Sequence, residues 1–394
     1  MTYPLMPLGE VLKERKEAPQ AEALENGEIQ IVSKIGFNDG KIQLRFDGAT
    51  NTGMILIRPG DLVVSGINAA KGAIAIYGEG NTKPIAATIH YGAYLPNKNK
   101  VDVRYLWWLL RSRTFKELLL EYVPGGIKTE LKAKRFLPVP IPLPSLHQQK
   151  RIVGWIEELA LKICAASALR DKANEDAEAL VPAAMKEMFN FDRAESTVRN
   201  FAKVQGGFAF QSGSYDEHGS HQVVRIGNVR DGYLDLSRAP VRWSPTEDSR
   251  VLKYELNSGD LIISMTGTRN KRDYGFVART PEYSKLLLNQ RVGRFVVHGE
   301  VDHDYLFQFL RSPFFRDRLF PLATGTANQA NVGNGDIESV KFAPPSLPVQ
   351  HRVVAELHAL QMSVERLKCM QTETAAELDV LLPSILDKAF RGNS

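Results

Sequence analysis

Two stretches of the chain place apolar residues at alternating steps of four and three. The first runs Ile152, Ile156, Leu159, Ile163, Ala166, Arg170, Ala173, Ala177, Leu180 and Ala184. The second runs Val353, Leu357, Leu360, Val364, Leu367, Gln371, Thr374, Leu378, Leu381 and Ile385. That alternation is the 3.5-residue period of a coiled-coil seam. It predicts two helices of about 43 residues, each about 65 Å long at 1.5 Å per residue. Nine of the ten seam positions are apolar in the first and eight in the second, and the first break falls at the same place, Arg170 and Gln371. Two seams of one length predict an antiparallel pair, with matched polar residues fixing register at some cost in stability. The plainer alternative is two bundle helices in separate domains. Pro182 and Pro383 fall late in the seams, where proline predicts a bend or the restart of a short helix.

Elsewhere the period changes. Runs such as LIISM and GRFVV, with turns at Asn38-Asp39-Gly40 and Asp231-Gly232, read as short strands. YLWWLLRSRTFKELLLEYV and YLFQFLRSPFFRDRLF read as one amphipathic helix each, with Trp107, Trp108, Phe307 and Phe309 as core. The organisation predicted is a mixed module at 1–146, a helix at 147–190, a second module at 191–347 and a second helix at 348–394.

The halves repeat each other. RPGDLVVSG at 58–66 returns as NSGDLIISM at 257–265, and DVRYLWWLLRSRTF at 102–115 returns as DHDYLFQFLRSPFF at 302–315. Pro144-Ser145-Leu146 returns as Pro345-Ser346-Leu347, and LVPAAMKEMF as LLPSILDKAF, both at an offset of 201. A repeat of this length implies one structural unit used twice. The fold class predicted is α/β: two α/β modules separated by two long antiparallel coiled-coil helices, pseudo-two-fold symmetric. Proline and serine would end each module, with glutamine and arginine of the first helical turns (Gln149, Arg151; Gln350, Arg352) facing the surroundings.

Composition narrows the class. The 394 residues are 43% hydrophobic and 24% charged, ordinary for a globular protein. No apolar run approaches a membrane span, and the N-terminus lacks a secretory pattern, so a cytoplasmic location is expected. Cys164 and Cys369 cannot build a disulfide framework and are expected to be buried. His218 and His221 have no neighbouring ligand residues, so no metal site is expected. Net charge is +5, its positive excess lying in the two mixed segments.

These features together, with GGFAFQSGSY at 206–215 and TGTANQANVGNGDIESVKFAPPSLPVQ at 324–350, give a chain that resembles the specificity subunit of type I restriction-modification systems over essentially its whole length. The resemblance implies that the modules are target recognition domains, each reading half of an interrupted double-stranded DNA sequence, with the long helices as spacer. It also implies docking of two methyltransferase subunits, which use S-adenosylmethionine to methylate adenine N6, and of restriction subunits where a system has them. No cofactor is implied for this chain. The first half departs from the pattern twice, with PQAEALENGEI where the second has GGFAFQSGSY, and PGGIKTEL where it has TGTANQAN.

Duplex recognition needs cations for phosphates and forked or amide side chains for base edges. In the second module TGTRNKRDYG offers Gly267, Thr268, Arg269, Asn270, Lys271, Arg272 and Tyr274, and TGTANQAN offers Thr326, Asn328, Gln329 and Asn331. In the first, Asn68 and Lys71 stand in SGINAAKG, and Lys128, Thr129 and Lys132 in GGIKTELKAK, with Lys134 and Arg135 as phosphate contacts. Charged surface turns are the plain alternative.

Catalytic signatures are missing. APPS at 343–346 lacks the amide or acid and the aromatic that an amino-methyltransferase motif requires, and GEGNTK at 78–83 lacks phosphate-loop spacing. The chain is therefore read as non-catalytic. The alternatives are a DNA-modifying enzyme in its own right and a coiled-coil adaptor protein.

Overall fold

The computed structural model describes residues 3–45, 53–78, 80–123, 130–211, 213, 215–244, 249–282, 285–326 and 328–391. The chain divides into two compact units, Met1–Asp171 with Gln371–Ser394, and Lys172–Met370. Each unit takes in one mixed segment and part of both long helices, Leu146–Met188 and Leu347–Arg391.

The first unit holds two four-stranded sheets. One orders Leu12–Glu14, Tyr91–Pro96, Leu62–Ser65 and Ile74–Ile76, all antiparallel. The other orders Ile42–Arg45, Ile31–Ile35, Ile85–Thr88 and Met54–Ile57, with the middle pair parallel. The second unit repeats both orders. Its first sheet is Ala202–Gly206, Val292–Val297, Leu261–Ser264 and Val277–Arg279, and its second is Arg242–Trp243, His221–Val224, Leu286–Leu288 and Glu255–Leu256, again with a parallel middle pair. The strands Leu62–Ser65 and Leu261–Ser264, apolar except for their final serine, are buried along their whole length, because they sit inside a sheet covered on both faces.

The repeated Gly-Asp before these strands has a structural cause. Gly60 (φ 91°) and Gly259 (φ 81°) take the left-handed turn that glycine adopts without steric cost. The following carboxylate then closes the turn. Asp61 accepts from Arg58 N at 2.8 Å and from Arg15 Nε at 2.6 Å, and Asp260 accepts from Asn257 N at 2.9 Å and from Arg294 Nη1 at 3.1 Å. A carboxylate as deep as Asp61, with no exposed surface, needs such a partner.

Each predicted amphipathic helix is two. Val103–Arg111 ends at Ser112, whose Oγ accepts from Phe115 N and so caps Arg113–Tyr122. His303–Arg311 ends at Ser312, which caps Pro313–Leu319 in the same way. A serine cap satisfies an amide that the helix start leaves unpaired, and here it lets the second helix turn its own apolar face inward. Trp108 and Phe309 are buried as expected, and Trp107 donates from Nε1 to Ile74 O at 2.8 Å.

The long helices run antiparallel within each unit. In the first, Val153 and Ile156 share a core with Leu386 and Phe390, and Arg170 Nε donates to Gln371 Oε1 at 3.0 Å. In the second, Met185 and Phe189 share a core with Leu357, and Lys368 meets Glu178 at 2.9 Å. The end of each helix completes a module core: Phe390 packs edge-on against Tyr105 at 5.4 Å, and Phe189 against Tyr305 at 5.2 Å. Both helices continue through Pro182 and Pro383 without a break.

Two further expectations are corrected. Cys164 and Cys369 are exposed, because the heptad that puts Ile163 and Val364 in the seam turns both cysteines outward. Gln149 and Gln350 are completely buried rather than outward-facing. Gln149 Oε1 accepts from Asp102 N at 2.8 Å while its Nε2 donates to Pro144 O and Lys100 O. Gln350 Oε1 accepts from Asp302 N at 2.7 Å and its Nε2 donates to Pro345 O. The glutamine thus clamps the start of each long helix to the start of the module helix about 47 residues earlier. Arg151 and Arg352 do face outward.

Candidate nucleic-acid interface

In the second module the two loops predicted separately form one structure. Thr266–Gly267 pairs with Gln329–Asn331, which pairs with Thr324–Thr326, so both loops hang from one three-stranded sheet. Thr266 Oγ1 donates to Asn331 Oδ1 at 2.9 Å. The loop from Thr268 to Asp273 closes on itself through Arg272 N to Thr268 O at 2.9 Å and through Thr268 N to the Asp273 carboxylate. Arg269 reaches across from this loop, Nη2 donating to Ala323 O at 2.6 Å, so its fork ties loop to hairpin.

Exposed on this surface are Asn270, Lys271, Arg272 and Asp273 on the loop and Thr326, Asn328 and Gln329 at the hairpin tip, with Gly267, Thr268 and Asn331 half-buried beside them. Arg272, at φ 48°, lays its guanidinium 5.1 Å from the Phe320 ring centroid. Beneath it Arg316, absent from the sequence prediction, donates Nη2 to Arg272 O at 3.1 Å and stacks 4.7 Å from Phe276 and 5.2 Å from Phe320. Burial lowers the Arg316 pKa from its ordinary value. A cleft of about 370 to 480 Å³ adjoins each module's surface, the larger lined here by Arg269, Asn270, Arg272 and Asp317.

Tyr274 is not part of this surface. It is 1% exposed, with its ring 5.2 Å from Phe320 in the module core. An aromatic next to three cations looks like a stacking residue in sequence, but the turn ending at Gly275 (φ 71°) carries the ring inward.

The first module gathers a different set around Gly66. Gly66 N donates to His90 O at 2.7 Å and Leu131 N donates to Gly66 O at 2.8 Å, which joins the segments of Asn68 and Lys132. The second module keeps this joint, with Met265 N to Arg291 O at 3.0 Å and Val332 N to Met265 O at 2.9 Å. Asn68 is half-buried, while Lys71, Lys132, Lys134 and Arg135 are exposed. Lys71 Nζ lies 5.9 Å from the ring of Phe37, itself 39% exposed. Lys132 Nζ lies 3.6 Å from Glu130. His90, which the sequence reading missed, meets Glu130 at 2.9 Å, and its hydrogen bond holds the Glu130 carboxyl below the usual carboxylate range. Lys128 and Thr129 lie outside the described residues. A signal for His90 existed only in the repeat, which sets it opposite Arg291 at the offset of 201; Arg316 carried none, since its amphipathic helix accounts for it equally well as a solvated face.

No group of three or more metal-binding side chains occurs among the described residues. No described helix is long and apolar enough to cross a membrane.

Comparison with known proteins agrees with this architecture. Residues 2–166 match the type I restriction modification DNA specificity domain family. The chain is 22% identical over 358 residues to the type I restriction enzyme EcoKI specificity subunit of Escherichia coli K12, covering 85% of this chain and 75% of that one. It is 24% identical over 294 residues to the MjaVIII specificity subunit of Methanocaldococcus jannaschii, covering 69% and 66%. Among solved structures, a chain from work on complex assembly and conformational transition of the type I R-M system aligns with TM-score 0.72 at 22% identity, covering 100% of this chain and 98% of that one. The HsdS subunit of Thermoanaerobacter tengcongensis aligns with TM-score 0.67 at 22% identity, covering 100% and 97%.

Two α/β domains with two long helices packed together define the fold these structures share. Residues 2–166 thus match a type I restriction modification DNA specificity domain, and over most of its length the chain is similar to specificity subunits of type I restriction enzymes.

Proposed function

We propose that the modules at 1–146 and 191–347 are target recognition domains, each reading one half of an interrupted duplex sequence. The helices at 147–190 and 348–394 set the separation of the half-sites and dock two methyltransferase subunits. In this reading those partners bind S-adenosylmethionine and methylate adenine N6, restriction subunits join where the system has them, and the complex works in the cytoplasm. The observation that carries the reading is the composite surface of the second module, where an amide-bearing hairpin and a cationic loop share one sheet. Cations settle the module on phosphates while amides address base edges. Asn68, Lys71, Lys132, Gly267, Thr268, Asn270, Lys271, Arg272, Thr326, Asn328, Gln329 and Asn331 are assigned to that contact, and Arg269 to holding its two parts together.

The test is to map N6-methyladenine across the host genome with and without this gene. A bipartite methylated sequence should vanish on deletion and return on complementation. An unchanged methylation pattern would overturn the assignment.

A further inference from the structure

Deepening the function just proposed, and resting on it, we propose that Arg291, and His90 at the equivalent place in the first module, read base edges, each fixing one position of its own half-site. Both sit on the turn that links the two sheets of a module, before Val292–Val297 in one and Tyr91–Pro96 in the other. In each module the backbone of this turn is the hub of the candidate surface. Arg291 O accepts from Met265, the residue just before the Thr266–Gly267 strand, and His90 O accepts from Gly66, two residues before Asn68.

The second module holds the turn from its other side as well. Gly207 N donates to Val292 O at 3.1 Å, Phe208 N to Leu288 O at 2.9 Å, and Gln290 N to Phe208 O at 2.9 Å. A Cβ on Gly207 would fall 2.2 Å from Asn289 O, so only glycine permits this approach. The phrase GGFAF therefore braces the turn that carries Arg291. In the first module, Ile89 N donates to Gly53 O at 2.9 Å instead.

The side chains differ in what they have left to offer. Arg291 is exposed, and its guanidinium makes no hydrogen bond or ion pair with the described residues. A guanidinium held at its base by a rigid turn and unengaged at its tip matches the two acceptors, O6 and N7, on the major-groove edge of guanine. His90 is 47% exposed and engages Glu130 through Nδ1, leaving Nε2 for a single contact. The same position thus holds a fork in one module and a single point in the other, which predicts a stricter base requirement in the half-site read by the second module.

The experiment compares methylated sequences in cells carrying the full chain, Arg291→Ala, Arg291→Lys or His90→Ala with the partner methyltransferase. With Arg291→Ala, one guanine position of one half-site should relax, with about a 5- to 150-fold loss of discrimination, while every other position keeps its base. His90→Ala should relax one position in the other half-site, by a smaller factor. Arg291→Lys keeps the charge but not the fork, should relax the same guanine, and decides the matter if the alanine variant fails to assemble. Unaltered sequence preferences in all variants overturn the proposal. So does a uniform loss of methylation at every site in an assembled complex, which marks Arg291 as a phosphate contact only. Failure of the broader reading shows differently, as the absence of any methylated sequence that depends on the wild-type chain.

Discussion

Gln149 and Gln350 occupy the same point of the two modules and share two equivalent backbone partners, the amide of Asp102 or Asp302 and the carbonyl of Pro144 or Pro345, whereas the loops around Gly66 and Met265 share a joint and little else. The contrast extends to the Gly-Asp turns. Asp61 is held by Arg15, and Asp260 by Arg294. These arginines come from opposite members of one cross-strand pair: Arg15 N bonds to Ala93 O, and Arg294 lies opposite Gln205. The frame requires a cation at that spot and is indifferent to which strand supplies it. The candidate surface behaves otherwise, because most of its side chains face outward and no core constrains their identity, so an amide hairpin in one module stands against a histidine and lysines in the other.

That contrast can be probed at several levels. The largest effect is expected at the clamps. Gln350→Ala removes the partner of the half-buried Asp302 N–H and Pro345 C=O; a fully buried unpaired group costs about 1–3 kcal/mol, and these two should cost toward the lower end. Gln149→Ala also removes the bond to Lys100 O, a third interaction that Gln350 lacks among the described residues, so chemical denaturation should find the first module slightly the more damaged of the two. Equal losses would mean that the third bond contributes nothing.

Next come the exposed cations. Lys271→Ala and Lys71→Ala should each weaken DNA binding by the assembled complex evenly across sequences and flatten the log–log salt dependence by about 1. A change of half-site preference with an unaltered salt slope would assign either lysine to bases instead.

The smallest effect is expected at Glu130. Its carboxyl is held below the ordinary range by His90 and then by Lys132, so the interaction stabilises the fold above the unfolded carboxyl pKa and is lost as pH falls through the lowered folded value. The group is mostly solvated, which limits the contribution to about 0.5 kcal/mol or less. Glu130→Gln should therefore fall slightly short of the wild type at neutral pH and match it only well below the ordinary glutamate pKa of about 4.3, once the pH has passed the lowered folded value. Thermal melts at both pH values measure this, and a larger gap in acid than at neutrality would reverse the sign.

Much of this architecture was legible because it is written as period. The seams located both long helices to within a few residues, and the coincident breaks marked the two residues that do meet, Arg170 and Gln371. The same heptad could have placed Cys164 and Cys369 outside; the error was to treat cysteine by residue type rather than by position. Other features were not legible locally. The buried glutamines depend on amides at Asp102 and Asp302, far along the chain, and a polar residue in a first helical turn ordinarily faces water. Ser112 and Ser312 cap helices inside what reads as a single apolar stripe. Tyr274 is drawn inward by a turn whose direction the charges around it do not reveal. At the candidate surface, sequence chemistry identified the two loops of the second module, while their union in one sheet depended on pairing between Thr266 and Asn331, 65 residues apart.

The central claim is that two independent readers are held at a separation fixed by the long helices. It is tested most directly by removing one heptad from each helix at matched positions, 163–169 and 364–370, and mapping the methylated sequences made with the partner methyltransferase. A deletion of seven residues keeps the seam in phase. The prediction is an unchanged pair of half-sites separated by a shorter spacer; the original spacer retained, or either half-site altered, would contradict it.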